Sequence, residues 1–400
     1  MDQKRELTHN GEGYWFTEEQ WLLKQNLREL VEAEIAPRFE ENFEEESATK
    51  LYYESMAKLG EGGYLRAYIP EALGGLGMGA VGLGIVAEEV ARGNGAVAIH
   101  ALENQVLGIM MSNADPNLWE AIMDGKIILG FSGCAPEGQM NTPEHADIAT
   151  FDEATNEWVL NGEKAFCSGG TFCNFLVVTG MYNGDQYVWI LGDPKNVPGL
   201  TVHSHPEIGC SPTSASLTMK DIRLPAFLGF PRNSCKDNYP IYTNDPMTVV
   251  FPLGVACMAI GSAEAALEKA ISYLTNRTTN FKPIASLGQI QGKIVAMKEK
   301  LEAARCLTYT ALHMVDTNYK DGVLYAHLAK SFTCNTARWI TGECLQMFGN
   351  VGANPHAGVA QHMLDTIVYS IGTGTSDMHV NGAAMMMGLP KSDNILKPAF

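Results

Sequence analysis

The sequence predicts an α+β multidomain chain: a helical region over 1–126, a β-rich region over 127–240 and a second helical region over 241–400. Three observations predict it. Apolar residues recur at helical spacing in the first part (Leu23, Leu27, Leu30, Val31) and in the last (Ile290, Ile294, Met297, Leu301, Ala304). Short runs of β-branched and aromatic residues lie between them. Pro194, Pro198, Pro206, Pro212, Pro225 and Pro231 punctuate that middle part, as in loop-rich β domains.

Each element has a local reason. Thr17 with Gln20 forms a capping box that opens the first helix. Pro37 closes that helix or begins a new turn. A second helix is expected over about 49–60, and a third after the glycine-rich loop 74–84. Strands 175–179 and 187–191 flank Asn183-Gly184, a hairpin turn. Asn161-Gly162 reads as another turn, and 216–219 as a further short strand. Residues 261–274 form a strong helix, and 284–319 a long one. No internal repeat or low-complexity tract interrupts this order.

Composition narrows the function. Four hundred residues with 46% hydrophobic content can bury a large core in two or three packed units. A net charge of −17 argues against nonspecific binding to nucleic acid or anionic membrane. No run approaches 18 uninterrupted apolar residues, so no membrane span is expected. The first sixteen residues carry Asp2, Glu6 and Glu12 and no apolar signal core. Nine scattered cysteines without a Cys-x-x-Cys pair suggest reduced thiols and a cytoplasmic location.

Several motifs bear on chemistry. Gly77-x-Gly79-x-x-Gly82 matches the dinucleotide fingerprint in form only: Pro70 and two glycines precede it, and no βαβ pattern follows. In 346–377, Gln346 precedes a glycine turn (Gly349, Gly352), a helix-like stretch and a small-residue turn, 372–376. Those glycines permit close approach to a ligand, and the Thr and Ser hydroxyls add donors; two helix ends with their caps would look the same. In 160–169, Phe166 offers a flat apolar face and Ser168 a hydroxyl two residues on, suiting a planar heterocycle, or else an ordinary hairpin. Arg277, after the helix 261–274, suits a pyrophosphate or a helix end. His203-x-His205 lacks a third ligand, so no metal site is expected, and no nucleophile elbow is present.

Taken together these segments resemble the FAD-dependent acyl-CoA dehydrogenases over nearly the whole chain. The resemblance implies that family's fold: an N-terminal helical domain, a middle β-barrel-like domain and a C-terminal four-helix bundle. Residues 69–79 resemble the family's IPEEYGGLG loop beside the acyl pocket. Residues 131–138 resemble YCVTEPGAGSD, which puts Phe131, Gly133 and Cys134 on the flavin, with Met140 where a serine near the pyrophosphate is expected. Residues 160–169 resemble NGxKxWITN, giving Phe166 the stacking role and Ser168 the flavin's reactive edge. Arg277 and Phe281 follow RxxFG with one extra residue. With Gln346, Gly349 and Asn350 they imply contacts to the FAD diphosphate of a neighbouring subunit, so the active unit would not be a monomer, and the family's habit is a homotetramer. Thr375 and Asp377 complete the C-terminal signature.

The resemblance also marks a departure. Thr373 stands where the family usually has its catalytic Glu, so it keeps only the backbone N–H that meets the thioester carbonyl. Phe251 occupies the base position used by a minority, and Pro252 replaces an arginine that often anchors the CoA substrate. The best replacement base is Glu103, in the apolar helical run 96–111, because apolar surroundings make a carboxylate more basic. Members acting on cyclohexene-type thioesters carry a carboxylate near this place; His100 is a weaker candidate. The chain is therefore expected to be an atypical member, an FAD-dependent oxidoreductase acting on a CH–CH bond of an acyl-CoA or acyl-carrier thioester. Dehydrogenation, 1,4-elimination and enoyl reduction stay open, with an electron-transfer flavoprotein or similar redox partner. A flavin monooxygenase of the same superfamily, suggested by KAFCSGG, and a non-catalytic partner subunit are the alternatives.

Overall fold

The computed structural model describes residues 16–111, 116–136, 148–205, 207–209, 213–232 and 247–390. Met140, Pro206 and Pro212 lie outside the described residues. Helix α1 (Glu18–Leu30) opens on its capping box: the Gln20 N–H donates to Thr17 Oγ1 at 3.2 Å and the Thr17 N–H to Gln20 Oε1 at 3.0 Å. It passes into a π turn and a 3₁₀ stretch, with Pro37 in the first turn of the latter. Helices α2 (Glu45–Glu61), α3 (Gly79–Gly93), α4 (Gly95–Gly108) and α5 (Pro116–Met123) follow.

The expected loop 74–84 ends early, because Gly82 and Gly84 are helical. A Cβ at Gly84 would stand 2.6 Å from Leu312 Cδ1, so the small residue serves close packing. The Asp316 carboxylate accepts from the N–H groups of Ala80 (2.6 Å) and Val81 (3.1 Å). That fills the helix N-terminus a phosphate would need, in line with reading the glycine motif as no nucleotide site.

The middle region holds two four-stranded sheets, ordered β1-β4-β5-β8 and β2-β3-β7-β6. The strands are β1 (Leu129–Ser132), β2 (Ala149–Asp152), β3 (Glu157–Cys167), β4 (Phe175–Tyr182), β5 (Asp185–Leu191), β6 (Leu200–Ser204), β7 (Ala215–Pro225) and β8 (Gly229–Pro231). The β4–β5 hairpin turns on Asn183 and Gly184, both at positive φ (50° and 82°) as a type I′ turn requires. Asn161-Gly162 is not a turn. It lies inside β3, where the register slips between Leu160 and Gly162. Trp158, Leu176, Trp189, Leu217 and Ile222 fill the core between the sheets.

The C-terminal region is a four-helix bundle, α6 (Val250–Asn276), α7 (Gly288–Asp316), α8 (Gly322–Phe348) and α9 (Val359–Ile371), followed by α10 (Ser376–Met386). Helix α6 starts eleven residues before the expected 261 because its first turns are apolar on every side and show no period. It is long and apolar enough to cross a membrane, yet its most apolar stretch is wholly buried among the other helices. At Gly261 it crosses α3 so closely that a Cβ would lie 1.9 Å from the Glu88 carbonyl oxygen.

The two helical regions share one core. Buried ion pairs tie them together: Arg92 to Glu264 (3.2 Å) and Arg305 to Glu88 (3.3 Å), with Arg28 to Glu264 (3.5 Å) beside them. Against the cost of burial, Lys24 and Arg28 hold Glu89 down to about 2. Removing one partner would leave a buried charge uncompensated, which costs about 3–5 kcal/mol.

Candidate active site

The site grows from the place where β1 meets the end of β3. The Phe131 N–H donates to the Ser168 carbonyl at 3.2 Å, and the Ala165 N–H to the Cys134 carbonyl at 3.1 Å. Segments 131–134 and 165–168 therefore run side by side, bringing together Phe131, Gly133, Cys134, Phe166 and Ser168. Phe166 and Ser168 do not share a strand face by simple alternation, as the spacing predicts. The register shifts between Lys164 and Cys167, and Phe166 adopts φ 55°. This bulge turns its ring outward, 44% exposed, with the His205 ring 5.4 Å away. Ser168 is half-buried beside it. Burial pushes the Cys134 thiol up, so it stays protonated, and lowers neighbouring Lys164 to about 8. An outward aromatic face next to a hydroxyl and a neutral thiol fits the ring of a flavin.

Helix α4 forms the adjoining wall. The Asn94 side chain caps it, accepting from the N–H groups of Ala96 and Val97. His100 and Glu103, one turn apart, are 1% and 0% exposed, with Nδ1 3.1 Å from Oε2. The His100 ring packs on Phe172 (5.2 Å) and Tyr52 (5.4 Å). A Cβ on Gly169, the residue after Ser168, would stand 3.1 Å from His100 Cε1. The pair thus sits directly behind the β3 end. Glu103 Oε1 and His100 Nε2 are buried and find no partner among the described residues. Leaving such atoms unpaired costs about 1–3 kcal/mol each, so each calls for a bound water, a ligand or a role in chemistry.

Phe251, in the first turn of α6, is buried with its ring 6.1 Å from Phe131. That position offers an apolar surface and no base. Pro252 beside it is buried as well.

The turn between α9 and α10 carries Thr373 at φ 56°, a conformation a β-branched residue rarely takes. Its hydroxyl donates to the Gly372 carbonyl at 2.7 Å, and its own carbonyl lies 3.1 Å from His379 Nε2. Buried Lys330 donates to the carbonyls of Tyr369 (2.7 Å) and Gly374 (3.4 Å). Thr375 caps α10 by accepting from the Met378 N–H at 3.2 Å, and Asp377 is exposed in the first turn. Tyr369 brings this turn to the start of α4, since a Cβ on Gly95 would meet its hydroxyl at 2.4 Å.

The remaining expected contacts lie elsewhere. Arg277 is exposed at the C-terminal end of α6, its guanidinium 5.5 Å from the Tyr273 ring centroid. Tyr273 stacks on Phe348 at 4.3 Å, which places Gln346, Gly349 and Asn350 at the same end, all exposed. Immediately after Arg277 begins a hairpin, β9 (Thr278–Thr279) with β10 (Lys282–Pro283). Asn280 and Phe281 make its two-residue turn at φ 46° and 63°, so Phe281 stands fully in solvent. Phe251 and Arg277 sit at opposite ends of α6, about 40 Å apart at 1.5 Å per residue.

Sequence reasoning misses His327, His379 and Lys330, because no local pattern links residues 52 apart on α8 and α10. Among the described residues no three His, Cys, Asp or Glu side chains group as metal ligands.

A helical–β–helical protein with an outward aromatic strand and a buried polar pair behind it defines a class, the flavoprotein oxidoreductases of this architecture. Residues 17–115 match the acyl-CoA dehydrogenase N-terminal domain, and residues 252–388 match the acyl-CoA dehydrogenase C-terminal domain. Cyclohex-1-ene-1-carbonyl-CoA dehydrogenase of Geobacter metallireducens is 28% identical over 386 residues, 92% of this chain and 98% of that protein. The caffeyl-CoA reductase-Etf complex subunit CarC of Acetobacterium woodii is 26% identical over 378 residues, 91% of this chain and 97% of that one. Butyryl-CoA dehydrogenase from Megasphaera elsdenii superposes with a TM-score of 0.80 at 24% identity, covering 93% of this chain and 98% of that one. The chain belongs to the acyl-CoA dehydrogenase family.

Proposed function

We propose that this chain is an FAD-dependent oxidoreductase that moves hydrogen at a CH–CH bond of a CoA thioester, with Glu103 as the proton-transferring group. The observation that carries this reading is the buried His100–Glu103 pair, with Oε1 and Nε2 unpartnered among the described residues, set behind the strand that carries Phe166 and Ser168. FAD, when bound, supplies the group that accepts or returns the hydride. Phe131, Gly133, Cys134, Phe166 and Ser168 would hold its ring. Arg277, Phe281, Gln346, Gly349 and Asn350, at the far end of α6, would serve the diphosphate in a partner subunit.

The chain's own residues divide the remaining work. The Thr373 N–H meets the thioester carbonyl and stabilises charge that develops there. Glu103 takes or gives a proton through Oε1 while His100 Nδ1 holds Oε2 in place. Phe131 and Phe251 keep water from the reacting carbons. A base on α4 rather than at Thr373 favours an acyl group whose reacting hydrogen is remote from the thioester, as in a ring or a 1,4-elimination. Relatives named as a cyclohexenecarbonyl-CoA dehydrogenase and a caffeyl-CoA reductase support both the substrate class and the two directions. The second of these is named within an electron-transfer flavoprotein complex, which supports a redox partner of that kind. Exposed apolar side chains on α7, α8 and α10, among them Val295, Trp339 and Met386, support a homotetramer.

Anaerobic mixing with a panel of CoA thioesters, followed by flavin absorbance, tests the reading. Cyclic or unsaturated acyl groups should exchange electrons with the flavin fastest. A protein that purifies without FAD and cannot be reconstituted, or whose flavin responds to no CoA thioester, ends it.

A further inference from the structure

Two histidines meet behind the Thr373 turn. His379 on α10 and His327 on α8 are both buried, with Nδ1 to Nδ1 at 2.9 Å. His379 Nε2 lies 3.1 Å from the Thr373 carbonyl oxygen. A carbonyl only accepts, so Nε2 carries the proton. Burial keeps His379 neutral down to about 3 and also lowers His327. A neutral His379 protonated on Nε2 has a bare Nδ1, so the proton between the rings belongs to His327. One carbonyl thereby sets both tautomers.

The surroundings leave little freedom. A Cβ at Gly382 would lie 2.7 Å from His327 Cε1, and one at Gly374 would lie 3.0 Å from His379 Nε2. Lys330 holds the carbonyls on either side, those of Tyr369 and Gly374. The Thr373 hydroxyl fixes the preceding peptide through the Gly372 carbonyl. Thr373 is thus held in its left-handed conformation from both sides, and its N–H direction follows.

We propose that His379, oriented by His327, is a positioning residue that aims the Thr373 N–H at the thioester carbonyl. The role acts through Thr373 and involves no contact between either imidazole and the substrate. It rests on the reading of Thr373 as the donor to that carbonyl. A misaimed donor loses much of its effect on the developing oxyanion, because removing such a donor outright costs roughly 10²–10³ in kcat.

Three variants test it: His379→Leu, His379→Gln and His327→Leu. His379→Leu should lower kcat about 10- to 100-fold with a smaller change in KM. It should also move the infrared stretch of a ¹³C-labelled thioester carbonyl, bound to the holoenzyme, back toward its value in water. His379→Gln keeps an N–H donor near the Nε2 position and should recover most of both signals. His327→Leu should fall between them. A His379→Leu variant with wild-type kcat and carbonyl frequency overturns the proposal, and so does a Gln variant no better than Leu at equal flavin content. Wild-type protein is measured first. If it binds and turns over no CoA thioester, the underlying functional reading fails and takes this one with it, since Thr373 then has no carbonyl to meet.

Discussion

His100 Nδ1 lies 3.1 Å from Glu103 Oε2 on α4, and the second polar atom of each side chain is buried without a partner among the described residues. In the proposed function this pair exchanges a proton with the substrate, and that role sets the first expectation. Glu103→Gln keeps the size and most of the hydrogen bond but cannot take a proton. It should lower turnover by roughly 10²–10⁴, the usual worth of a general base. Flavin content and thermal stability should hardly change. Turnover within a few-fold of wild type would remove Glu103 from the mechanism.

Thr373 presents a different expectation. Among the described residues its hydroxyl bonds only the adjacent Gly372 carbonyl, while its N–H survives any substitution except Pro. Thr373→Ala should therefore change turnover modestly, by less than about tenfold, because one local hydrogen bond is worth about 1 kcal/mol. Thr373→Glu places a carboxylate where the family usually has one, and should introduce α,β-dehydrogenation of straight-chain thioesters. Inactivity of Thr373→Ala with FAD still bound would mean that the hydroxyl itself takes part in the chemistry.

The sequence shows most where the determinants are local. The Asn183-Gly184 turn and the Thr17/Gln20 capping box need only their neighbours, and both form. Glycine misleads where its reason is distant. Gly82 and Gly84 read as loop, yet they are helical so that α3 can pack closely on other elements. Asn161-Gly162 reads as a turn, but β7 pairs along that stretch and turns it into a strand irregularity. In the site, the spacing of Phe166 and Ser168 suggests a shared face, while a bulge sets the ring's direction. His100 and Glu103 are visible three residues apart, but their unpaired atoms follow from the packing of α2 and the 169–173 turn. The His327–His379 pair has no local signal at all.

The length of α6 leads to a test of subunit sharing. Arg277 and the Phe131–Phe251 contact lie at its two ends, about 40 Å apart. If Arg277 serves a partner's flavin, two defective chains should complement each other. Coexpression of Arg277→Ala and Glu103→Gln chains with different tags gives mixed dimers. One site in each then has intact Glu103 and intact Arg277, and the other has neither. Mixed dimers should regain about half the wild-type activity per flavin, far above either parent. Activity no higher than that of the parents would place Arg277 outside the shared site.

Acid stability gives the last expectation. Burial keeps His379 uncharged down to about 3, and burial likewise lowers His327 and holds His362 well below the ordinary value of 6.5. In the unfolded chain these imidazoles titrate near 6.5. Between that value and the folded one, the unfolded state binds more protons, so stability is full above pH 6.5 and is lost as pH falls toward 3. Each group contributes a slope of at most about 1.4 kcal/mol per pH unit. Asp365 works the other way: burial raises it to about 7, so its folded form takes up a proton first and stability rises as pH falls from 7 to 3.8. Comparing a variant with wild type cancels that contribution and isolates the imidazole. The urea midpoint of His379→Gln, measured at pH 7 and pH 5, should fall less between the two than that of the wild-type protein. An identical fall in both would mean that His379 takes up a proton in the folded state as readily as in the unfolded one, against the neutral pairing with His327.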